Sequence, residues 1–216
     1  MDVDLSSVDG SGATIPLVVA NMTAVSGRRM AETIARRGGI SVIPQDIPIP
    51  VVTEVISWMK QRHVLFDTPI TLEPHNTVAD AASLIHKRAH GAFIVVEDGK
   101  PTGILTEADW EGADRFTQAS RVMSRDLMVL PDTVDARAAF DLLHEKNRKL
   151  APVVNTSGKL VGILTRTSAL RATLYKPALD AKGRLRIAAA LGVNGEIKEK
   201  AEQLIAAGVD LLVIDT

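Results

Sequence analysis

The sequence predicts an α/β fold in which a parallel sheet is interrupted by a duplicated insert. Three observations predict it: apolar strand segments alternate with amphipathic helix segments near both ends of the chain, those strands are continuously apolar, and the middle of the chain repeats itself. Continuously apolar strands are typical of a parallel sheet covered by helices, as in a barrel or a doubly wound fold. The 216 residues, of which 46% are hydrophobic, are sufficient to bury such a core.

Each end segment supplies two strands. Residues 15–62 read as strand, helix, strand and helix, with strands at "IPLVVANM" and "ISVIPQ" and Ser26 as the expected cap of the first helix. Residues 185–216 read as strand, helix and strand, with strands at "LRIAAALGV" and "VDLLVIDT" and Gly208 ending the helix. Four strands are too few to close an eight-stranded barrel. Because the chain stops directly after a strand, we expect it to be the front portion of a longer polypeptide.

The middle of the chain contains a duplication that can be followed position by position. "AASLIH" at 81–86 matches "AFDLLH" at 139–144, and "FIVV" at 93–96 matches "APVV" at 151–154, both at an offset of 58 residues. After a turn the offset becomes 59, where "TGILTEAD" matches "VGILTRTS". Two copies with so long a period predict two similar small domains packed as a pair, since a solenoid needs more units.

Each copy has a candidate nucleotide site after its "GILT" strand. Thr106 ends that strand in the first copy and Asp109 lies in the next turn, where a helix N-terminus suits phosphate and a carboxylate suits two ribose hydroxyls. The alternative is that Thr106 caps the helix and Asp109 meets its dipole. The second copy keeps Thr165, adds Arg166 and has Ser168 in place of the aspartate. We therefore expect its site to bind more weakly, to use Arg166 for phosphate, or to stay empty.

The composition argues against several classes of protein. Lys+Arg and Asp+Glu nearly cancel at 25 and 26, and only 3% of residues are aromatic, so we expect no nucleic-acid partner. The N-terminus lacks the features of a signal peptide, and no apolar stretch approaches the ~18 residues of a membrane span. We expect a cytoplasmic protein without a membrane partner. The absence of cysteine excludes a thiol nucleophile within these residues.

His86 and His90 lie four residues apart on the predicted helix of the first copy, a spacing that could place two imidazoles on one metal ion. No third ligand is evident nearby in the sequence. We therefore interpret both as members of a solvated helix face and expect no metal site.

The order β-α-β-β-α, the pattern G-I-L-T-x-x-D and the tandem duplication resemble a pair of cystathionine-β-synthase-type (CBS) domains. The flanking "IPLVVANMTAVSGRRMAETIARRGGISVI", "LRIAAALGV" and "AGVDLLVIDT" resemble the IMP dehydrogenase/GMP reductase family, in which a CBS pair is inserted into a TIM barrel. The resemblance implies a partial TIM (β/α)8 barrel, with about the first four strands, interrupted by a tandem CBS pair. The implied domains are 1–63 and a truncated 177–216 for the barrel, and 64–121 and 122–176 for the two CBS domains.

The resemblance also implies nucleotide-binding residues. Met22 matches a methionine that packs against the purine nucleotide, while Ala20 and Asn21 stand where IMP dehydrogenases have serine and proline. GMP reductases are similar to this chain in reading Ala-Asn-Met there, although the CBS insert is typical of the dehydrogenases. A CBS-bearing reductase branch satisfies both signals. Asp215 matches an aspartate that contacts the ribose of the nicotinamide cofactor; the alternative is a strand-end aspartate that caps the next loop.

From this resemblance we expect a part of an oxidoreductase that reduces GMP to IMP with NADPH and is regulated by nucleotides at the CBS pair. The alternatives are an NAD-dependent IMP dehydrogenase that forms XMP, and a regulatory CBS module without catalysis. The resemblance implies NADP or NAD as cofactor and K⁺ at a site outside these residues. It implies GMP or IMP as substrate, ATP or GTP at the CBS sites, and a tetramer or octamer. The family's catalytic cysteine is absent, so we expect no catalytic residue here and no activity from this chain alone.

Overall fold

The computed structural model describes residues 3–84 and 90–216, which form two compact units. The first, called the sheet unit, comprises Met1–Leu65 and Arg171–Thr216. The second, called the repeat unit, comprises Phe66–Leu170. The sheet unit is therefore discontinuous in sequence, and the duplicated segment forms the repeat unit.

The helices and strands follow the order that the sequence predicts, and no helix in the described ranges is long and apolar enough to cross a membrane. In chain order the elements are β1 (Val18–Val19), α1 (Arg28–Ala35), β2 (Ile40–Ile43), α2 (Ile49–Met59), β3 (Thr71–Leu72), α3 (Val78–Ser83), β4 (Ala92–Glu97), β5 (Lys100–Thr106), α4 (Ala119–Val122), β6 (Leu130–Pro131), α5 (Ala136–Glu145), β7 (Leu150–Val154), β8 (Leu160–Thr165), α6 (Arg166–Leu174), β9 (Ala188–Gly192), α7 (Ile197–Ala207) and β10 (Leu211–Asp215). A short 3-10 turn, Glu107–Trp110, follows β5.

In the described part of the sheet unit, four parallel strands form one sheet in the order β1, β2, β9 and β10. Val42 of β2 pairs with Ala188 of β9, which pairs on its other side with Leu211 of β10. Strands β2 and β9 are thus direct neighbours, although the whole repeat unit separates them in sequence. The predicted α/β fold with a parallel sheet is confirmed.

The two faces of this sheet pack differently. Ile43, Ala189 and Leu191 point to the face that is covered by α1, α2 and α7, which contribute Ala35, Ile56 and Leu204, among others. Alternate strand residues, including Val42, Ala188 and Ala190, point to the opposite face and pack with Ala13 and Ala178. Because both faces are covered, the strands carry apolar residues at consecutive positions. All three helices lie on one side of the sheet.

The predicted cap of α1 is wrong. Gly27 occupies the N-cap position, and Ser26 is buried instead, with its Oγ 2.8 Å from the Oγ of Ser41 and donating to the carbonyl of Val42 at 2.5 Å. Serine favours an N-cap only where no stronger partner is available, and here β2 supplies two. Ser26 therefore fastens the start of α1 to β2.

A buried lysine joins three segments of the sheet unit. The Nζ of Lys60, just after α2, donates to the carboxylates of Asp180 at 3.1 Å and Asp210 at 2.7 Å, and to the carbonyl of Leu185 at 3.1 Å. The lysine side chain is only 5% exposed. Burial alone would raise the pKa of Asp180, but hydrogen bonds from the Arg184 backbone N–H and from Lys60 outweigh it and hold that pKa well below its usual range. Lys60 thus ties α2 to the segments before β9 and β10.

In the described part of the repeat unit, each copy forms a three-stranded sheet, β3-β4-β5 or β6-β7-β8. Phe93 pairs with Leu105 in the first copy, and Ala151 pairs with Leu164 in the second, both in antiparallel register. The register shifts after Val95 in one sheet and after Val153 in the other. These positions differ by the offsets of 58 and 59 that the sequence predicts, so the two copies share one fold.

The segment before each copy pairs with the last strand of the other copy. Asp67, before the first copy, exchanges two backbone hydrogen bonds of 2.9 Å with Ile163 of β8. Ser124, before the second copy, exchanges two of 2.9 Å with Ile104 of β5. The copies are therefore joined by reciprocal strand pairing.

The glycine of each "GILT" motif makes room for this pairing. A Cβ on Gly162 would lie 2.5 Å from the Cβ of Phe66, and a Cβ on Gly103 would lie 2.3 Å from the Sδ of Met123. Phe66 and Met123 occupy equivalent places in the two incoming segments, and both are buried. The repeated glycine is thus a packing requirement at a close approach of two chain segments.

Candidate functional site

Four strands of the sheet unit bring four residues together at their carboxyl edge. Asn21 follows β1, Gln45 follows β2, Gly192 ends β9 and Asp215 ends β10. The Nδ2 of Asn21 donates to the Oδ2 of Asp215 at 2.5 Å, and the Nε2 of Gln45 donates to the same oxygen at 2.9 Å. We call these four residues the carboxyl-edge cluster. In parallel α/β sheets this edge is where ligands bind.

The Asp215 carboxylate is held on one side and open on the other. Both hydrogen bonds described above end on Oδ2, and the residue is half-buried. Among the residues that the structure describes, none donates to Oδ1, which keeps its lone pairs for donors from a ligand. The cluster can therefore bind a molecule that presents hydroxyl or N–H groups, such as the diol of a ribose.

The other two residues predicted around the first strand lie at the surface beside this cluster. Ala20 is exposed, and its carbonyl accepts a hydrogen bond from the backbone N–H of Met22 at 2.8 Å. The Met22 side chain is 57% exposed. Of the predicted triplet, the described contacts bring only Asn21 against Asp215.

In the first copy of the repeat unit, the predicted threonine and aspartate meet directly. Thr106 ends β5 and Asp109 lies in the 3-10 turn that follows. The Oδ2 of Asp109 accepts hydrogen bonds from both the backbone N–H and the hydroxyl of Thr106, each at 2.6 Å. This is a capping box, so at least one carboxylate oxygen serves the turn itself.

In the second copy, the carboxylate near the threonine belongs to a residue that is distant in the sequence. The backbone N–H of Ser168 and the hydroxyl of Thr165 form the corresponding local contacts at 2.9 Å. The Oγ of Ser168 then donates to the Oδ2 of Asp67 at 2.7 Å. Arg166 opens α6 and is half-buried. The second site therefore contains an acidic group, although its own helix lacks one.

Of the two histidines interpreted as a solvated helix face, only His90 lies within the described residues, and its side chain is 11% exposed, so that interpretation is wrong for His90. His86 lies outside the described residues. The Nδ1 of His90 lies 3.9 Å from the Oδ2 of Asp67. Within the ranges that the structure describes, no group of three or more His, Asp or Glu side chains is placed to hold a metal ion.

The second copy also contains a cavity of about 270 Å³. It is lined by Met128, Val129, Leu142, Lys146 and Arg148. Both cations have a carboxylate neighbour: Glu145 lies 2.9 Å from Lys146, and Asp126 pairs with Arg148. Its apolar wall and two cations are of the kind that accommodates a base and a phosphate.

Three contact residues were missed by sequence reasoning: Gln45, Gly192 and Asp67. Gln45 carried a weak signal, because it is the first exposed polar residue after the buried strand "ISVI". Gly192 and Asp67 carried none, since their roles depend on partners 147 and 101 residues away in sequence. Strand-end polar residues would be the best guide to such sites in similar chains.

The chain is similar to known proteins over nearly all of its length. The family model for the IMP dehydrogenase / GMP reductase domain matches residues 2–216. A GMP reductase from Mycobacterium tuberculosis is 52% identical over 215 residues, which cover 100% of this chain and 45% of that protein. An inosine-5'-monophosphate dehydrogenase from the same organism is 33% identical over 207 residues, covering 94% of this chain and 39% of that protein.

A solved structure shows the same architecture. The crystal structure of GMP reductase from Trypanosoma brucei in complex with guanosine 5'-triphosphate has a TM-score of 0.67 and 27% identity, covering 94% of this chain and 51% of that chain. The present chain thus spans less than half the length of the curated relatives described above. Since the family model matches nearly every residue, the chain belongs to the IMP dehydrogenase/GMP reductase family.

Proposed function

We propose that this chain is the N-terminal part of a cytoplasmic GMP reductase, which reduces GMP to IMP with a nicotinamide cofactor. The contact between Asn21 and Asp215 carries this proposal. Proline, which IMP dehydrogenases have at the position of Asn21, offers no side-chain donor to the carboxylate. The higher identity to a GMP reductase, 52% against 33% for a dehydrogenase, supports the same direction.

The sheet unit would form the first part of a TIM barrel. Its three described helices lie on one face, as in a barrel, whereas a doubly wound sheet has helices on both. By strand alternation Asp215 points to the same side as Leu211 and Val213, away from those helices. In such a barrel the carboxylate would lie at the mouth, where the loops of these enzymes carry their sites.

The residues of this chain would bind and orient nucleotides. The open oxygen of Asp215 fits the ribose hydroxyls of NADPH or NADH, and the exposed thioether of Met22 fits the face of a purine. The nicotinamide would supply the hydride that replaces the 2-amino group of GMP, which leaves as ammonia. The nucleophilic cysteine would lie elsewhere in the protein, because these 216 residues contain no cysteine. A K⁺ site would also lie outside these residues.

The first test is Asp215→Asn in the complete protein that carries this chain. Loss of a charged acceptor should raise KM for NADPH about 10- to 100-fold, with KM for GMP nearly unchanged. The measurement is the initial rate of NADPH oxidation at varied GMP and at varied cofactor. Asp141→Asn, on an exposed face of α5, is the control and should leave both constants unchanged.

The same assay separates the alternative activity. If the wild-type protein shows no GMP-dependent oxidation of NADPH but reduces NAD⁺ in the presence of IMP, the protein is an IMP dehydrogenase and the reductase proposal is wrong. Absence of both activities would leave neither oxidoreductase proposal standing.

We also propose that the repeat unit is a CBS pair that binds ATP or GTP and regulates assembly of the enzyme into tetramers and octamers. Both copies place a carboxylate beside a strand-end threonine, Asp109 next to Thr106 and Asp67 next to Ser168 and Thr165. The cavity in the second copy adds an apolar wall and two cations. The carboxylates suit the hydroxyl groups of a ribose, and the cavity, which is lined by other residues, suits a base.

The second test is Asp109→Ala in the 216-residue chain. Affinity for GTP or ATP at the first copy should fall about tenfold, because a charged acceptor for ribose is lost. Isothermal titration calorimetry with GTP and with ATP measures these affinities. The matched control is Asp80→Ala, because Asp80 forms the same capping box with Thr77 at the start of α3. Both variants lose a cap, but only Asp109→Ala should lose affinity; no saturable binding to the wild-type chain would refute the sensor.

A further inference from the structure

We infer that Gln45 is a positioning residue that holds Asp215 for its ligand, an inference that rests on the proposed reductase function. The Nε2 of Gln45 donates to the Oδ2 of Asp215 at 2.9 Å, from a residue that follows a different strand. Gln45 is itself exposed and lies just after the carboxyl end of β2, an inner strand of the sheet. It acts on the ligand through the carboxylate.

The path of the Gln45 side chain explains why the neighbouring strand ends in glycine. Strand β9 lies between β2 and β10, so the amide of Gln45 must cross β9 to reach Asp215. The β9 residue in register with Asp215 is Gly192. A Cβ there would lie 2.0 Å from the Oε1 of Gln45. The missing side chain of Gly192 therefore creates the channel that the amide occupies.

The two amides fix the carboxylate without adding charge. Asn21 and Gln45 donate to the same oxygen of Asp215 from two different strand ends, those of β1 and β2, which lie on the same side of β10 in the sheet order. Amides are neutral donors, so the carboxylate keeps its charge for the ligand. Two donors on one oxygen also restrict rotation of the carboxylate plane, which keeps the second oxygen directed at incoming donors.

This arrangement suits a vicinal diol and disfavours a phosphate. A carboxylate oxygen accepts from hydroxyl groups and repels phosphate. Under the proposed reductase function, the ligand group held here is the ribose of the dinucleotide, and Gln45 determines how tightly that ribose is bound. A change at Gln45 should alter cofactor binding and leave the purine substrate unaffected.

The test uses the complete protein with Gln45→Met, which keeps the length of the side chain and removes its donor. Loss of one neutral hydrogen bond should raise KM for NADPH about fivefold. KM for GMP and the midpoint of thermal unfolding should not change. Gln45→His restores a neutral N–H donor and should keep KM for NADPH within about twofold of the wild type.

A double-mutant cycle identifies the route of the effect. If Gln45 acts through Asp215, then Gln45→Met should add nothing to Asp215→Asn. An unchanged KM for NADPH in Gln45→Met, or an additive effect in the double variant, would overturn the inference while the reductase function stands. A wild-type protein without GMP-dependent activity would instead overturn the function on which the inference rests.

Discussion

Replacing Lys60 by alanine is expected to destabilise the sheet unit by about 3–5 kcal/mol. The substitution leaves two carboxylates, Asp180 and Asp210, without the ammonium that they share at 3.1 and 2.7 Å. Their side chains are only 11% and 8% exposed, so water cannot replace the lost partner. The substitution leaves Asp210 without its charged partner and Asp180 with Arg184 alone, and uncompensated buried charge costs more than losing a surface pair.

The measurement is urea unfolding followed by the fluorescence of Trp58, which lies in α2 two residues before Lys60. A Trp110→Phe background removes the second tryptophan, which belongs to the repeat unit. Lys198→Ala is the control: that side chain is 90% exposed, and its loss should change the free energy of unfolding by less than about 0.5 kcal/mol. A loss below about 1 kcal/mol in Lys60→Ala would contradict a structural role for the buried lysine.

At acidic pH, the difference in the free energy of unfolding between Lys60→Ala and the wild type should become smaller. The pKa of Asp180 is lowered in the folded state, so its stabilising contribution is present above the unfolded value near 4 and is lost as the pH falls below it. The gap between the two unfolding curves should therefore shrink below about pH 4.

Replacing Phe66 by alanine is expected to destabilise the repeat unit by about 3–5 kcal/mol. Phe66 is 1% exposed and packs against the glycine face of Gly162, in the segment that pairs with β8. Its removal leaves a cavity and loosens the pairing of Asp67 with Ile163. Alanine keeps the Cβ that requires glycine at position 162, so the variant removes the ring alone.

The fluorescence of Trp110 in a Trp58→Phe background reports this unfolding, because Trp110 packs beside Phe93 in the first copy, with ring centroids 5.9 Å apart. Phe116→Ala is the matched control, since that ring is 70% exposed, and its loss should cost less than about 0.5 kcal/mol. Equal effects of the two substitutions would show that the segment around Phe66 does not hold the copies together.

Local patterns in the sequence carried much of the fold. The segments "ISVI" and "IAAAL" are continuously apolar and therefore predict buried strands, because both faces of a parallel sheet are covered. The structure has β2 and β9 at these two segments. The offsets of 58 and 59 predict matching registers, and the pairs Phe93–Leu105 and Ala151–Leu164 follow them. Ser26 marks the limit of such reasoning, because a nearby strand offered it better partners than the helix end.

By itself, then, the sequence determined the order of strands and helices, the duplication and the family, because these follow from periodicity, spacing and motif. The tertiary structure decided which side chains meet. Gln45 reaches Asp215 only because β2, β9 and β10 lie side by side and Gly192 has no side chain, and Asp67 reaches Ser168 only because the segment before one copy pairs with the other. Contacts between residues so distant along the chain depend on how the elements pack, and local pattern does not contain that information.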